Sequence, residues 1–171
     1  MDGKISVYIG VQARPAHLFD LAPNHWVPAH GGPEGNCARD DDIEWISVVF
    51  FDIDVVSVLR QKGHPASEEE LQKTLRAARL LARQEGLALS SAVCCSGNGH
   101  YILAPIVSIP VGTDEVARQF KQFCQNLADR VVGQLIGVRI DPVYNLSRVM
   151  RVMGTLNPKG KPLSGRPQSG K

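Results

Sequence analysis

With 171 residues, the chain is long enough for one domain with a real hydrophobic core. Its 43% hydrophobic and 21% charged residues are ordinary for a soluble globular protein, no run is long enough to span a membrane, and the opening MDGKISVYIG has no signal-peptide pattern, so a cytoplasmic protein is expected. The formal net charge is only +2, yet the segment from Arg148 to Lys171 holds six basic residues and no acids, an asymmetry that suits either an anionic ligand such as phosphate or a solubilising tail.

In chain order, Lys4–Val11 alternates as a strand. Residues 12–42 are rich in Pro, Gly, His and Asp and read as a long excursion with little regular structure, of a length that signals function or disorder. His25, His30 and Cys37 fall there, but their spacing fits no standard zinc motif and no fourth ligand is evident. None of the four cysteines forms a CxxC pair, and reduced, partly buried thiols are expected. Glu44–Val56 reads as a buried strand. A helix follows, opened by a Ser67/Glu70 capping box, with Leu71, Leu75, Ala78 and Ala82 on one face and Gly86 as its stop. Ala88–Cys95 and Tyr101–Ile109 are strand-like and joined by SGNG, a hairpin signal. A second helix runs from about Asp114 to Val132, capped by Thr113, with Val116, Phe120, Phe123, Leu127 and Val131 as its apolar stripe. A short apolar run, Leu135–Ile140, ends at Asp141. Strand, helix, hairpin, helix, strand is close to a ferredoxin-like split β-α-β layout.

Three places in this layout carry chemistry. In VVFFDIDVV, Asp52 and Asp54 share one face of a strand, about 7 Å apart at Cα for a rise of ~3.3 Å per residue, while Ile53 enters the opposite layer. Two carboxylates so placed repel unless a cation lies between them, and Mg²⁺ or Mn²⁺ prefers such oxygen ligands. The other reading is a strand end with one acid capping a turn and the other salt-bridged, although Val55, Val56 and Val58 continue the apolar run past them. In SGNG, Gly97 and Gly99 flank Asn98 and can present backbone N–H groups to an anion, with the Ser96 hydroxyl and His100 as further donors; a tight hairpin explains the glycines equally well. Asp141 ends its apolar run as the other two acids do, and Arg148, Arg151 and Lys159 follow it closely enough to grip a triphosphate.

Together these segments resemble the archaeo-eukaryotic primase (primase-polymerase) superfamily. The resemblance rests on FFDIDV, SGNGHY and RIDPVYNLSRVMRVMGTLNPKGKP in that order, with VYIGVQARP similar to the family's opening strand, and it spans roughly residues 5 to 162. It implies an α+β fold with a ferredoxin-like/RRM-like split β-α-β catalytic core and an N-terminal strand and loop module packed against it. It also implies a catalytic domain over residues 1–162 with residues 163–171 as a flexible basic tail, in a chain that could belong to a longer protein. By that resemblance Asp52, Asp54 and Asp141 are the catalytic and metal-binding acids, holding two Mg²⁺ or Mn²⁺. Ser96, Gly97, Asn98, Gly99 and His100 line the nucleotide phosphates, and Arg148 and Arg151 hold the triphosphate or ribose, with Arg14 and Lys159 as weaker carry-overs toward nucleotide or template backbone. The implied activity is that of a DNA primase-polymerase joining NTPs or dNTPs to a 3′-hydroxyl on single-stranded DNA, possible partners being a primer, a helicase or another domain, and no membrane. Two departures stand out. His100 follows Gly99 at once and Tyr101 holds the family histidine's usual place, so either His100 still reaches the phosphate from a shorter turn or Tyr101 replaces it, and Met153 stands where the family often has Pro. Two other functions fit parts of the pattern: a nucleotide-sugar-dependent transferase using Asp52-x-Asp54, and a catalytically degenerate primase-fold subunit that binds nucleic acid. Aromatic residues are scarce at 6%, leaving Trp26 and Trp45 as the candidates for stacking on single-stranded DNA.

Overall fold

Apolar, β-branched and aromatic residues make Trp45–Val55 the longest uninterrupted strand candidate, and it becomes a central strand, β2. The computed structural model describes residues 7–14, 16, 37–56, 64–84, 87 and 91–155. Within them lie β1 (Tyr8–Gly10), a single 3₁₀ turn (Asp40–Asp42), β2 (Trp45–Val55), α1 (Glu68–Ala82), β3 (Ala92–Cys95), β4 (Gly99–Pro110), α2 (Asp114–Val132), β5 (Val138–Asp141) and β6 (Val149–Arg151). The fold is α+β. One antiparallel sheet has four strands in the order β3-β4-β2-β5, and a second, two-stranded antiparallel sheet pairs β1 with β6.

Both helices begin where their capping residues predict. The Ser67 N–H donates to Glu70 Oε2 (2.8 Å) and the Glu70 N–H to Ser67 Oγ (3.2 Å), so two otherwise orphaned donors are satisfied. Thr113 caps α2 through the Val116 N–H. The helices cover one face of the four-stranded sheet. Val49, Phe51 and Ile53 of β2, Ile102 and Ala104 of β4, and Val138 and Ile140 of β5 pack there against Ala77, Ala78 and Leu81 of α1 and Cys124, Leu127, Ala128 and Val131 of α2. A smaller cluster of Ile43, Ile46 and Leu146 closes one end.

The helix faces differ in detail from the expected stripes. On α2, Phe123 is 44% exposed and Cys124 takes the buried place. With 3.6 residues per turn, the contact line runs through 120, 124, 127–128 and 131, and position 123 rotates outward. On α1, Thr74, Ala77 and Leu81 are buried and Leu75 is only half-buried. The buried polar residue is satisfied, since the Thr74 hydroxyl bonds the Leu71 carbonyl (3.0 Å) and His100 Nδ1 (2.8 Å). Strand bounds also shift. β4 begins at Gly99 rather than Tyr101, and β5 begins at Val138, immediately after Gly137 at φ 81°. Leu135 and Ile136 precede β5, and Ile136 is 97% exposed.

Where β2 and β4 change register, between Ile46 and Val48, Gln12 acts as a substitute strand. Its Oε1 accepts from the Ser47 (2.9 Å) and Val48 (3.2 Å) N–H groups, and its Nε2 donates to the Val48 carbonyl (2.7 Å). Such irregularities leave backbone groups that need partners, and Gln12, only 5% exposed, provides them. The expected starts of the first and third strands, the excursion with His25, His30 and Trp26, Gly86, Lys159 and the basic tail lie wholly or largely outside the described residues. Cys37, Cys94, Cys95 and Cys124 are free thiols. No described helix is long and apolar enough to cross a membrane.

Candidate active site

The acids emerge on the sheet face opposite the helices. In β2, Ile53 is fully buried, so its neighbours Asp52 and Asp54 face the other way. β5 runs antiparallel to β2 with Asp141 directly opposite Asp52 and Arg139 opposite Asp54. Cross-strand partners of this kind have Cα atoms about 4.5–5.5 Å apart and side chains on the same face. The three carboxylates, from two segments far apart in sequence, therefore share one patch. Reading across the sheet, one row is Cys94, Tyr101, Asp52, Asp141, and the next is Gly99, Asp54, Arg139.

Arginines compensate this negative charge. Arg139 Nε lies 2.9 Å from Asp141 Oδ1 and its Nη2 3.6 Å from Asp54 Oδ2. Arg148 Nη2 lies 3.9 Å from Asp52 Oδ2. Arg148 reaches the patch because its loop is held from beneath. Asp40 accepts hydrogen bonds from the Ser147 N–H (2.8 Å) and hydroxyl (2.7 Å) and from Lys121 Nζ (3.0 Å). Partial burial raises the Asp40 pKa, but these donors outweigh it and the carboxyl titrates below its ordinary value. Arg14 Nη2 donates to the Ser147 (2.9 Å) and Arg148 (3.1 Å) carbonyls, so this arginine clamps protein backbone. Arg151, 4% exposed, stacks over Tyr8 (5.6 Å to the ring centroid) and donates to its hydroxyl (3.3 Å). Arg148 Nε, Arg151 Nε and Arg14 Nη1 are buried with no hydrogen-bond partner among the described residues. Buried donors left this way cost about 1–3 kcal/mol each, more when charged, and an anion or ordered water is the usual remedy.

The SGNG turn packs against the neighbouring strand and helix. Gly97 adopts φ 91°, which favours glycine, and a Cβ at Gly99 would strike the backbone carbonyl of Ile53. The Gly97 N–H, one of the backbone donors expected to face an anion, is spent locally on Cys95 Sγ (3.4 Å), and the Ser96 N–H closes the turn on the Gly99 carbonyl (3.0 Å). Asn98 accepts from the Ala66 N–H (3.2 Å), tying the turn to the start of α1, and its buried Nδ2 has no partner among the described residues.

Register also separates His100 from Tyr101. His100 pairs with Ile53 and Tyr101 with Asp52, so they occupy opposite faces. The His100 ring is buried on the helix side, bonded to Thr74, and Tyr101 stands among the acids. Of the two, Tyr101 and not His100 shares the face of the acids. Its hydroxyl pKa is pushed up to about 12 by burial and then by Asp52, so it remains a proton-bearing donor at neutral pH. Its ring lies 5.3 Å from that of Phe50. Burial, then Arg79, lowers the His100 pKa below its ordinary value. Because the folded state resists protonation, His100 contributes stability that is present above the unfolded pKa of about 6.5 and is lost as pH falls through the folded value. Melting temperatures measured from pH 7.5 to 5 should fall more steeply for the wild-type protein than for His100→Gln; parallel curves would contradict this.

Sequence reasoning missed Arg139 and left open whether His100 or Tyr101 takes the family histidine's role. The signal for Arg139 was available, since a residue two before Asp141 shares its face of a strand. Chemically, the three carboxylates are hard oxygen donors of the kind Mg²⁺ or Mn²⁺ takes. As the side chains stand they engage arginines, and no group of three or more His, Cys, Asp or Glu among the described residues is arranged to hold a metal ion. A cleft of about 830 Å³ lined by Asp40, Trp45, Thr113, Lys121 and Leu146 lies at the far end of β2, away from the acids. Lys159 lies outside the described residues. Compared with known proteins, the chain matches no family model, no curated protein and no solved structure.

Proposed function

We propose that this chain is a template-dependent nucleotidyltransferase of the primase-polymerase type, joining an incoming nucleoside triphosphate to a 3′-hydroxyl on a DNA template. The observation that carries the reading is the register of Asp141 against Asp52, which gathers acids of two separate motifs beside Arg148 of the same late segment. The strand order β3-β4-β2-β5, with α1 and α2 as the connections on one face, supports a ferredoxin-like split β-α-β core.

In this reading the 3′-hydroxyl gives up its proton to water as its oxygen attacks the α-phosphorus, the bond from the α-phosphorus to the oxygen bridging it to the β-phosphorus breaks, and pyrophosphate leaves. Mg²⁺ or Mn²⁺, when bound, would stabilise the attacking and leaving oxygens, with Asp52, Asp54 and Asp141 as the residues to hold it. Arg148 and Arg151 neutralise the phosphates, and their unpaired Nε atoms are suited to that role. Tyr101 donates its hydroxyl to a phosphate or sugar oxygen beside Asp52. Tyr101→Phe is expected to raise KM for the nucleotide about tenfold, the loss of one hydrogen bond to a charged group, whereas His100→Gln should leave KM unchanged. An unchanged KM in Tyr101→Phe would remove the residue from the site.

The direct test supplies the protein with Mn²⁺, single-stranded DNA, with and without a primer, and NTPs or dNTPs. Short products are expected, and none under any combination would overturn the reading. A second reading, a nucleic-acid-binding subunit that kept the fold without the chemistry, draws on Arg139 lying between two of the acids. DNA binding without product would favour it. A nucleotide-sugar transferase leaves the segment from Asp141 to Arg151 without a role.

A further inference from the structure

Asp54 and Asp141 engage a cation that the chain itself supplies. The Arg139 guanidinium spans them, at 2.9 Å from Asp141 Oδ1 and 3.6 Å from Asp54 Oδ2. Its side chain is 58% exposed while the two carboxylates are 23% and 26% exposed, so the arginine approaches from solvent and has solvent to withdraw into. A guanidinium and a divalent ion relieve the same like-charge repulsion and use the same oxygen lone pairs. They cannot both occupy the space between these carboxylates. An exposed ion pair is weak, so a divalent ion can displace it, but only by working against it. Arg148, whose Nη2 lies 3.9 Å from Asp52 Oδ2 and whose buried Nε has no hydrogen-bond partner among the described residues, stands at the same patch and independently points to an anionic ligand arriving there.

We propose that Arg139 is a built-in competitor for the divalent cation at Asp54 and Asp141, raising the metal concentration at which the site fills and keeping the acids neutralised until it does. This rests on the reading of the acids as a cation site. Metal loading then expels the guanidinium toward solvent, and high ionic strength, which weakens the arginine's hold, narrows the difference between the wild-type protein and a variant lacking it.

The test is Mn²⁺ binding to the whole chain without nucleotide, followed by the loss of the free-Mn²⁺ paramagnetic resonance signal. Wild type, Arg139→Gln, Arg139→Lys and Asp141→Asn are compared at low and high KCl. Arg139→Gln is expected to lower Kd about three- to tenfold, the range two exposed ion pairs support. Arg139→Lys, which keeps the charge but not the fork, should fall between it and wild type, and Asp141→Asn should lose most binding. If Arg139→Gln leaves Kd unchanged or weakens binding while Asp141→Asn still abolishes it, the competitor role is overturned and the cation site stands. If no protein binds Mn²⁺ at millimolar concentration, both fall.

Discussion

Replacing Asp52 and Asp54 together with asparagine should reduce nucleotide incorporation on the order of a thousandfold or more while leaving the fold in place. Asparagine keeps the shape of aspartate and the strand alternation, so Ile53 still enters the core and β2 keeps its pairing with β4 and β5. What disappears is the anionic charge from two of the three acids, on which the proposed divalent cation would depend. The variant also frees Arg139 from Asp54 and Arg148 from Asp52. These are long contacts at 3.6 and 3.9 Å, so their loss should cost no more than about 1 kcal/mol each. Product formation on a primed template, followed beside circular dichroism and thermal melting, separates the two effects. Equal product from the variant and the wild type would end the proposal that these acids carry the reaction.

The second large effect concerns stability. Gly99→Ala is expected to destabilise the protein by about 3 kcal/mol, the upper part of the usual range for overpacking, and to lower the melting temperature by roughly 6–12 °C. An alanine Cβ at this position would strike the Ile53 carbonyl and stand 2.9 Å from Asp54 Oδ1. A flexible side chain could turn aside, but a backbone carbonyl in a central strand can move only if β2 and β4 part. That pair carries the longest register in the sheet, from Trp45 opposite Pro110 to Asp54 opposite Gly99. The same movement would displace Asp54, so incorporation should fall with stability. A melting temperature within 2 °C of wild type would show that the sheet yields here more easily than the close approach implies.

Gly99 illustrates how local and long-range information divide in this chain. SGNG announced a hairpin, but its second glycine is required by the neighbouring strand, not by the turn, whose positive φ belongs to Gly97. Similarly, Asp52 and Asp54 were legible as a same-face pair from the period of two, and Asp141 as an acid at the end of an apolar run. Their meeting depends on β5 lying beside β2 at one register, and a shift of one residue would turn Asp141 toward the helices. Tyr101 and His100 make the same point, since which of them faces the acids follows from the pairing of β4 with β2.

The amino-acid sequence alone determined the helix starts, through Ser67, Glu70 and Thr113, the order of strands and helices from β1 to β5, and the residue types of the candidate site, but not β6, whose three residues form a strand only by pairing with β1. These are set by contacts a few residues apart, through caps, turns and periodicity. The tertiary structure alone decided that Asp141 lies opposite Asp52, that Arg139 bridges Asp54 and Asp141, that Tyr101 rather than His100 faces the acids, and that Cys124 rather than Phe123 is buried. Each of these depends on strand register or helix rotation, which are settled by packing between segments distant in the chain and leave no mark at any single position.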